Sequence, residues 1–159
     1  MAKEEVLRMP IVGTIAACLQ TAFIRRTDKN SRASTLDAIV QRAQADGKWP
    51  QLLIFPEGTC TNGQVLIGFK RGAFVPATPV QPVLLRYPFR HLDLCWTAAG
   101  MNTLELFIRT LCQFFNRVEV TYLPVYVPNE KEKMDSQLYA NNVRALIAKE
   151  SGLPNTEHS

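Results

Sequence analysis

The residues Glu57-Gly58-Thr59-Cys60-Thr61-Asn62 put a carboxylate, two hydroxyls, a thiol and an amide directly behind the apolar run Leu52-Leu53-Ile54-Phe55. Pro56 and Gly58 break that run abruptly, so it reads as a short buried strand ending in a polar loop. Polar groups gathered at the carboxyl end of a buried strand are where α/β proteins commonly bind ligands. The same composition also suits an ordinary surface turn. Cations recur close by. Arg25 and Arg26 close the apolar stretch Ala22-Phe23-Ile24, and Lys70-Arg71 follow the loop. If these strands are parallel neighbours, their ends share one sheet edge, and arginines, a lysine and neutral donors form an anion-binding rim. The guanidinium fork suits phosphate because it donates two parallel hydrogen bonds. The alternative for the same charges is a solvated face.

Other chemistries find less support. A nucleophilic Cys60 needs a histidine base, and the two histidines, His91 and His158, stand at no spacing that places either beside it. No His/Asp/Glu cluster has metal-ligand spacing, and neither G-x-G-x-x-G nor G-x-x-x-x-G-K-[ST] occurs. Cys18, Cys95 and Cys112 sit in apolar surroundings and read as small core residues. Without a C-x-x-C pair, the cysteines fit reduced thiols facing the cytosol.

The elements that must carry these residues follow from the pattern. A chain of 159 residues, 47% hydrophobic and 20% charged, supports one domain with a core. Its net charge of +4 suits an anionic partner such as a phospholipid surface, a nucleotide or a nucleic acid, without choosing among them. Met9 to Ile24 carries no charge but is shorter than the ~20 residues that cross a bilayer and is diluted by polar residues. It reads as a buried or interfacial helix, Ile11 to Leu19, followed by a strand over Ala22–Ile24. A helix from Ser34 to Ala45 presents Leu36, Ile39, Val40 and Ala43 on one face, with Ser34 or Thr35 as cap and Gly47 as stop. Gln51–Phe55, Val80–Tyr87 and Val118–Val127 read as strands. Thr103 to Phe115 is the most amphipathic helix; its aromatic stripe fits a membrane interface or, by default, a face packed on the sheet. A last helix, Asp135 to Glu150, shows Tyr139, Val143, Leu146 and Ile147 on one side and stops at Gly152 and Pro154. Strands alternating with helical crossovers predict an α/β fold with a mixed, largely parallel sheet flanked by helices.

Three strings add a resemblance. FPEGTCTN at Phe55–Asn62, FKRGAF at Phe69–Phe74 and PVQPVLLRYP at Pro79–Pro88 are similar to the later motifs of the glycerolipid acyltransferase superfamily, most of all its lysophosphatidylcholine acyltransferase branch. Phe23-Ile24-Arg25-Arg26 resembles that family's second motif. Trp96, Leu111-Cys112-Gln113-Phe114 and Leu138 to Arg144 continue the likeness over nearly the whole chain. The resemblance implies that residues 1–159 are one partial acyltransferase domain. It also implies transfer of an acyl group from acyl-CoA, as co-substrate, to a lysophospholipid hydroxyl in phospholipid remodelling. No bound cofactor or metal is expected. Arg26, Glu57, Gly58, Thr59 and Lys70 would bind the headgroup; Cys60, Thr61 and Pro82 would help shape the acyl or acceptor pocket. The expected setting is the cytosolic face of the endoplasmic reticulum membrane, with the membrane surface as partner.

One departure matters. The family's base is a histidine with an aspartate five residues later, whereas His91 has Trp96 at that offset and His158 has nothing. The motif would fall upstream of Met1, which implies an amino-terminally truncated domain with no catalytic residue of its own. General acid–base assistance is worth ~10²–10⁴-fold, so the chain alone is expected to be nearly inactive. The alternative function is a non-catalytic phospholipid-binding or interaction module. A nucleic-acid-binding domain fits worst, because the aromatics sit in apolar stripes rather than among the scattered lysines and arginines.

Overall fold

The computed structural model describes residues 2–3, 12–18, 23–24, 29–45, 47–61, 63–89, 93, 103–154 and 156. Along the chain run β1 (Ala2–Lys3), α1 (Val12–Cys18), β2 (Phe23–Ile24), α2 (Lys29–Ala43), a 3₁₀ turn (Arg71–Ala73), β3 (Val83–Arg86), α3 (Thr103–Leu111), β4 (Glu119–Tyr122), α4 (Glu130–Met134) and α5 (Ser136–Ser151). The order is that of a partial α/β domain.

The sheet departs from the expected largely parallel one. Among the described residues the longest ladder is β3 against β4, antiparallel, with Val83 opposite Tyr122 and Arg86 opposite Glu119; a further antiparallel bridge joins Val80 to Tyr126. Among the described residues, parallel pairing is confined to Ala2 opposite Phe23 and Lys3 opposite Ile24. The physical reason lies in burial. Parallel sheets are covered on both faces, whereas β4 leaves Val120, Thr121 and Tyr122 exposed, and contact with water is what antiparallel pairs tolerate. The Gln51–Phe55 strand is likewise corrected. The segment belongs to no ladder among the described residues, and it is not buried, since exposure alternates along it and leaves Leu53 and Phe55 in solvent.

The core is built on α5. Asp135 caps it by accepting from the Gln137 and Leu138 amides, and Gly152 ends it in the left-handed conformation with φ 71°. Its inner stripe buries Tyr139, Ala140, Val143 and Ile147 against Leu66, Phe69, Phe74 and Leu123, with Leu146 partly buried alongside. Three aromatic pairs stack through this core: Phe69–Phe74 at 6.3 Å, Phe74–Tyr139 edge-on at 5.1 Å and Tyr126–Tyr139 at 5.7 Å. Tyr139 donates to the Thr78 carbonyl at 3.0 Å, and burial pushes its phenol up to about 12.

A short helix, α4, went unread in the sequence although Asn129-x-x-Glu132 is a capping-box pattern. The Glu132 amide donates to Asn129 Oδ1 at 3.0 Å, and the Asn129 amide donates back to Glu132 Oε2 at 2.7 Å. Glu132 is only 1% exposed. Its other oxygen accepts from Tyr126 Oη at 2.6 Å and from the side-chain Nδ2 of Asn142, so one buried carboxylate ties β4's end to α4 and α5. Burial alone would raise this carboxyl, but the hydrogen bonds from Asn142, Tyr126 and Asn129 outweigh it and hold it below its ordinary value.

Three other expectations need correcting. Helix α2 keeps its predicted inner face, with Ile39 buried and Leu36 and Val40 half-buried, but it starts at Lys29, ahead of the proposed caps. Ser34 and Thr35 therefore lie inside it, where their cost relative to better helix formers is only a few tenths of a kcal/mol, roughly. The apolar stripe of α3 is not packed on the sheet. Phe107, Ile108 and Leu111 are exposed, and so are Phe114 (105%) and Phe115 (82%) just beyond. Cys18 and Cys112 are exposed rather than core residues, Cys112 beside the uncovered Leu111 and Phe114 and Cys18 on the helix that leaves Ile15 exposed. Cys95 lies outside the described residues.

Candidate functional site

The loop after Phe55 is a tight turn dictated by its own residues. The Gly58 amide donates to the Phe55 carbonyl at 3.2 Å, which puts Pro56 and Glu57 at the two central positions. Proline presets φ for the first of these. Glu57 is not at positive φ, so the turn is of the first type and not the second; Gly58, with φ 69°, carries the left-handed residue that lets the chain leave it.

The second motif docks on the first. The Lys70 amide donates to the Pro56 carbonyl at 2.8 Å, so the loop and the FKRGAF segment share a backbone bond. The aliphatic stem of Lys70 crosses Gly58 so closely that a β-carbon there would stand 3.4 Å from Lys70 Cγ. Beyond Lys70 the chain makes the 3₁₀ turn, with the Phe74 amide on the Arg71 carbonyl at 2.9 Å, and drops Phe74 into the core. Leu36 of α2 reaches the same turn, its Cδ2 3.2 Å from where a Gly72 β-carbon would be.

Glu57, Gly58 and Lys70 are therefore neighbours, joined by a turn and a single amide bond rather than by adjoining ends of parallel strands. Glu57 is half-buried. Desolvation raises its carboxyl above the ordinary 4.5, while the hydrogen bond from the Ile67 backbone pulls the other way. Lys70, Thr59 and Cys60 are exposed, offering an ammonium, a hydroxyl and a thiol on the open side of the turn. Thr61 is turned inward on its own loop, where its hydroxyl accepts from the Gly63 amide at 3.3 Å. Pro82 stands apart from this group: it is buried at the head of β3, and its carbonyl accepts the Leu123 amide at 3.0 Å. Arg26, Arg25, Asn62 and both histidines lie outside the described residues.

The sequence reading missed what holds Glu57 from below. The segment Leu66–Phe69 is buried apart from Gly68, and Leu66 is gripped by the far end of the chain. Its amide donates to the Pro154 carbonyl at 3.1 Å, and its carbonyl accepts from the Thr156 amide at 3.2 Å and from Arg144 Nη2 at 3.2 Å. Arg144 Nη2 also donates to the Thr156 carbonyl. The available signal was an arginine placed directly after Val143, at the edge of the apolar stripe of an amphipathic helix.

A carboxylate able to share or accept a proton, a lysine on the neighbouring segment and an exposed hydroxyl can together orient a ligand bearing a phosphate and a free hydroxyl. Among the described residues, no three His, Cys, Asp or Glu side chains gather in a way that could hold a metal ion. The chain is similar to curated proteins over its full length. It is 49% identical over 157 residues to lysophosphatidylcholine acyltransferase 1 of Homo sapiens, covering 99% of this chain and 29% of that protein. Its identity to lysophosphatidylcholine acyltransferase 2 of Homo sapiens is 45% over 159 residues, covering 29% of that protein. To the lysophosphatidylcholine acyltransferase of Drosophila melanogaster it is 48% over 159 residues, covering 30% of it. The chain thus spans less than a third of the length of these relatives. No solved structure matches it. The model of the family described as Acyltransferase matches residues 1–86, a span that includes both the Glu57 turn and Lys70. On that match, which takes in more than half of its residues, the chain belongs to the acyltransferase family.

Proposed function

We propose that this chain carries the acceptor-binding part of an enzyme that moves an acyl group from acyl-CoA to the free hydroxyl of a lysophospholipid, lysophosphatidylcholine foremost, in phospholipid remodelling. The observation that supports it most is the joining of Glu57, Gly58 and Lys70 by the Lys70 amide on the Pro56 carbonyl. In this reading Lys70, together with Arg26, meets the headgroup phosphate, Thr59 adds a hydroxyl donor, and Glu57 orients the glycerol hydroxyl. Cys60, Thr61 and Pro82 belong to the wall of the acyl or acceptor pocket. No histidine of the 159 has an aspartate five residues on, so the general base is not supplied by these residues, and acceptor binding is the activity the chain itself can show. The same fact favours the second reading, a phospholipid-binding module without chemistry.

The setting we propose is the cytosolic face of the endoplasmic reticulum membrane. Uncovered aromatic side chains on and beyond α3 support contact with a membrane surface, since Phe107, Phe114 and Phe115 stand in solvent beside Ile108 and Leu111. Among the described residues no helix is long and apolar enough to cross a bilayer.

The test is binding of dispersed lysophosphatidylcholine by the chain, followed by acyl transfer from acyl-CoA in a version extended upstream to include H-x-x-x-x-D. Glu57→Ala should abolish transfer in the long form and weaken lysophospholipid binding in the short one. Undiminished transfer by Glu57→Ala would remove Glu57 from the site. Transfer by the short chain at the rate of the long one would show that the base lies within these residues.

A further inference from the structure

We propose that Arg144, on α5 and beyond the residues that the family model matches, is a positioning residue for the Glu57 turn. The proposal rests on the headgroup reading above for its functional consequence, but its geometry is independent of that reading. Arg144 Nη2 spans two backbone carbonyls, Leu66 at 3.2 Å and Thr156. Leu66 is bonded on both its amide and its carbonyl to Pro154 and Thr156, so the arginine closes a small clamp of three chain segments. Immediately after the clamped residue comes Ile67, whose backbone holds the Glu57 carboxylate, and three residues further on Lys70 holds Pro56. The segment between the clamp and the turn thus has one end fixed by Arg144 and the other bonded through the Lys70 amide to Pro56, the residue before the carboxylate, with the Lys70 stem packed over Gly58.

Stability alone is a poor account of this arginine. Among the described residues its buried Nε meets no partner, a cost that an apolar side chain of similar volume would not carry. What an apolar side chain could not do is fix the Leu66 carbonyl against the tail. The helix end from which the tail departs has its own anchor, because Arg86 of β3 donates to the Ser151 carbonyl at the end of α5. A fixed tail turns Arg144 from a flexible contact into a rigid one, so the Ile67 amide is presented at one height.

Hydrogen exchange and lysophosphatidylcholine binding on the whole chain test this. Arg144→Gln should speed exchange of the Ile67 amide by roughly tenfold or more, as loss of a charged hydrogen bond predicts. Exchange at Tyr139 and Val143 should stay near that of the unaltered chain. Affinity for dispersed lysophosphatidylcholine should fall by a similar factor. Arg144→Lys keeps one donor and should recover part of both effects; it also decides the question if Arg144→Gln does not fold. If exchange rises evenly across the core, or the folded variant keeps an unaltered Ile67 amide, Arg144 is structural and the proposal is overturned. Glu57→Ala separates the two ideas. Should it leave affinity unchanged, the headgroup reading fails, while exchange at Ile67 still judges the clamp.

Discussion

Glu57 sits where stability and use pull apart. Burial raises its carboxyl, so between the ordinary 4.5 and its raised value the folded chain binds more protons than the unfolded one. Stability therefore falls as pH rises across that window. Glu57→Gln should melt with the unaltered chain below that window and above it in temperature at neutral pH, measured by thermal unfolding at both. A lower melting temperature at neutral pH would mean that the carboxylate is held by far more than the Ile67 backbone. That Glu57 and Lys70 belong together was legible in FPEGTCTN and FKRGAF. The cause of their meeting was not, because a single amide on a proline carbonyl leaves no trace in residue type. Arg144 was hidden for the same reason: both its partners are backbone carbonyls.

Among the elements, α2 and α5 were legible because one side of each has a core to face. Ile39, Tyr139, Val143 and Ile147 fall on the helical period and are all buried. For α3 the same periodicity shows an apolar face but not what lies against it. Here the described residues leave it bare, with an exposed ion pair between Arg109 and Glu105 at 2.7 Å on the polar side. Such a pair adds little to stability, whereas each uncovered phenylalanine gains about 1.5–3 kcal/mol by entering an apolar phase. Replacing Phe114 and Phe115 together by Ser should therefore lower partitioning onto zwitterionic vesicles by well over tenfold, roughly, in a flotation assay, with the melting temperature little changed. Unchanged flotation would remove this face from membrane contact.

At the scale of the whole chain, strand direction was the part that sequence could not carry. Val80–Tyr87 and Val118–Val127 are apolar runs on either side of a helix, the pattern of a parallel crossover, yet the intervening length allows the second strand to return either way. What decides is the exposed side of β4, a property of neighbours rather than of the strand. The fold is instead held by a polar knot. Glu132, with its folded value lowered, contributes stability that is present above the ordinary 4.5 and lost as pH falls through the lowered value. Glu132→Gln should cost about 1.5–3 kcal/mol at neutral pH, a penalty that shrinks on acidification, and Tyr126→Phe should cost less. Chemical denaturation at two pH values measures both; a pH-independent penalty would mean that charge is not what the knot binds.

The pairing of Leu66 with Pro154 and Thr156 has a consequence in time. Loop closure between such distant segments is a slow, entropically costly step. While the chain is being synthesised, residues 55–74 emerge long before their own support does. The turn that carries Glu57 can form early, but the backbone beneath it is set only after α5 and the tail have left the ribosome. A nascent chain stalled short of Pro154 should therefore display the motif without its final geometry.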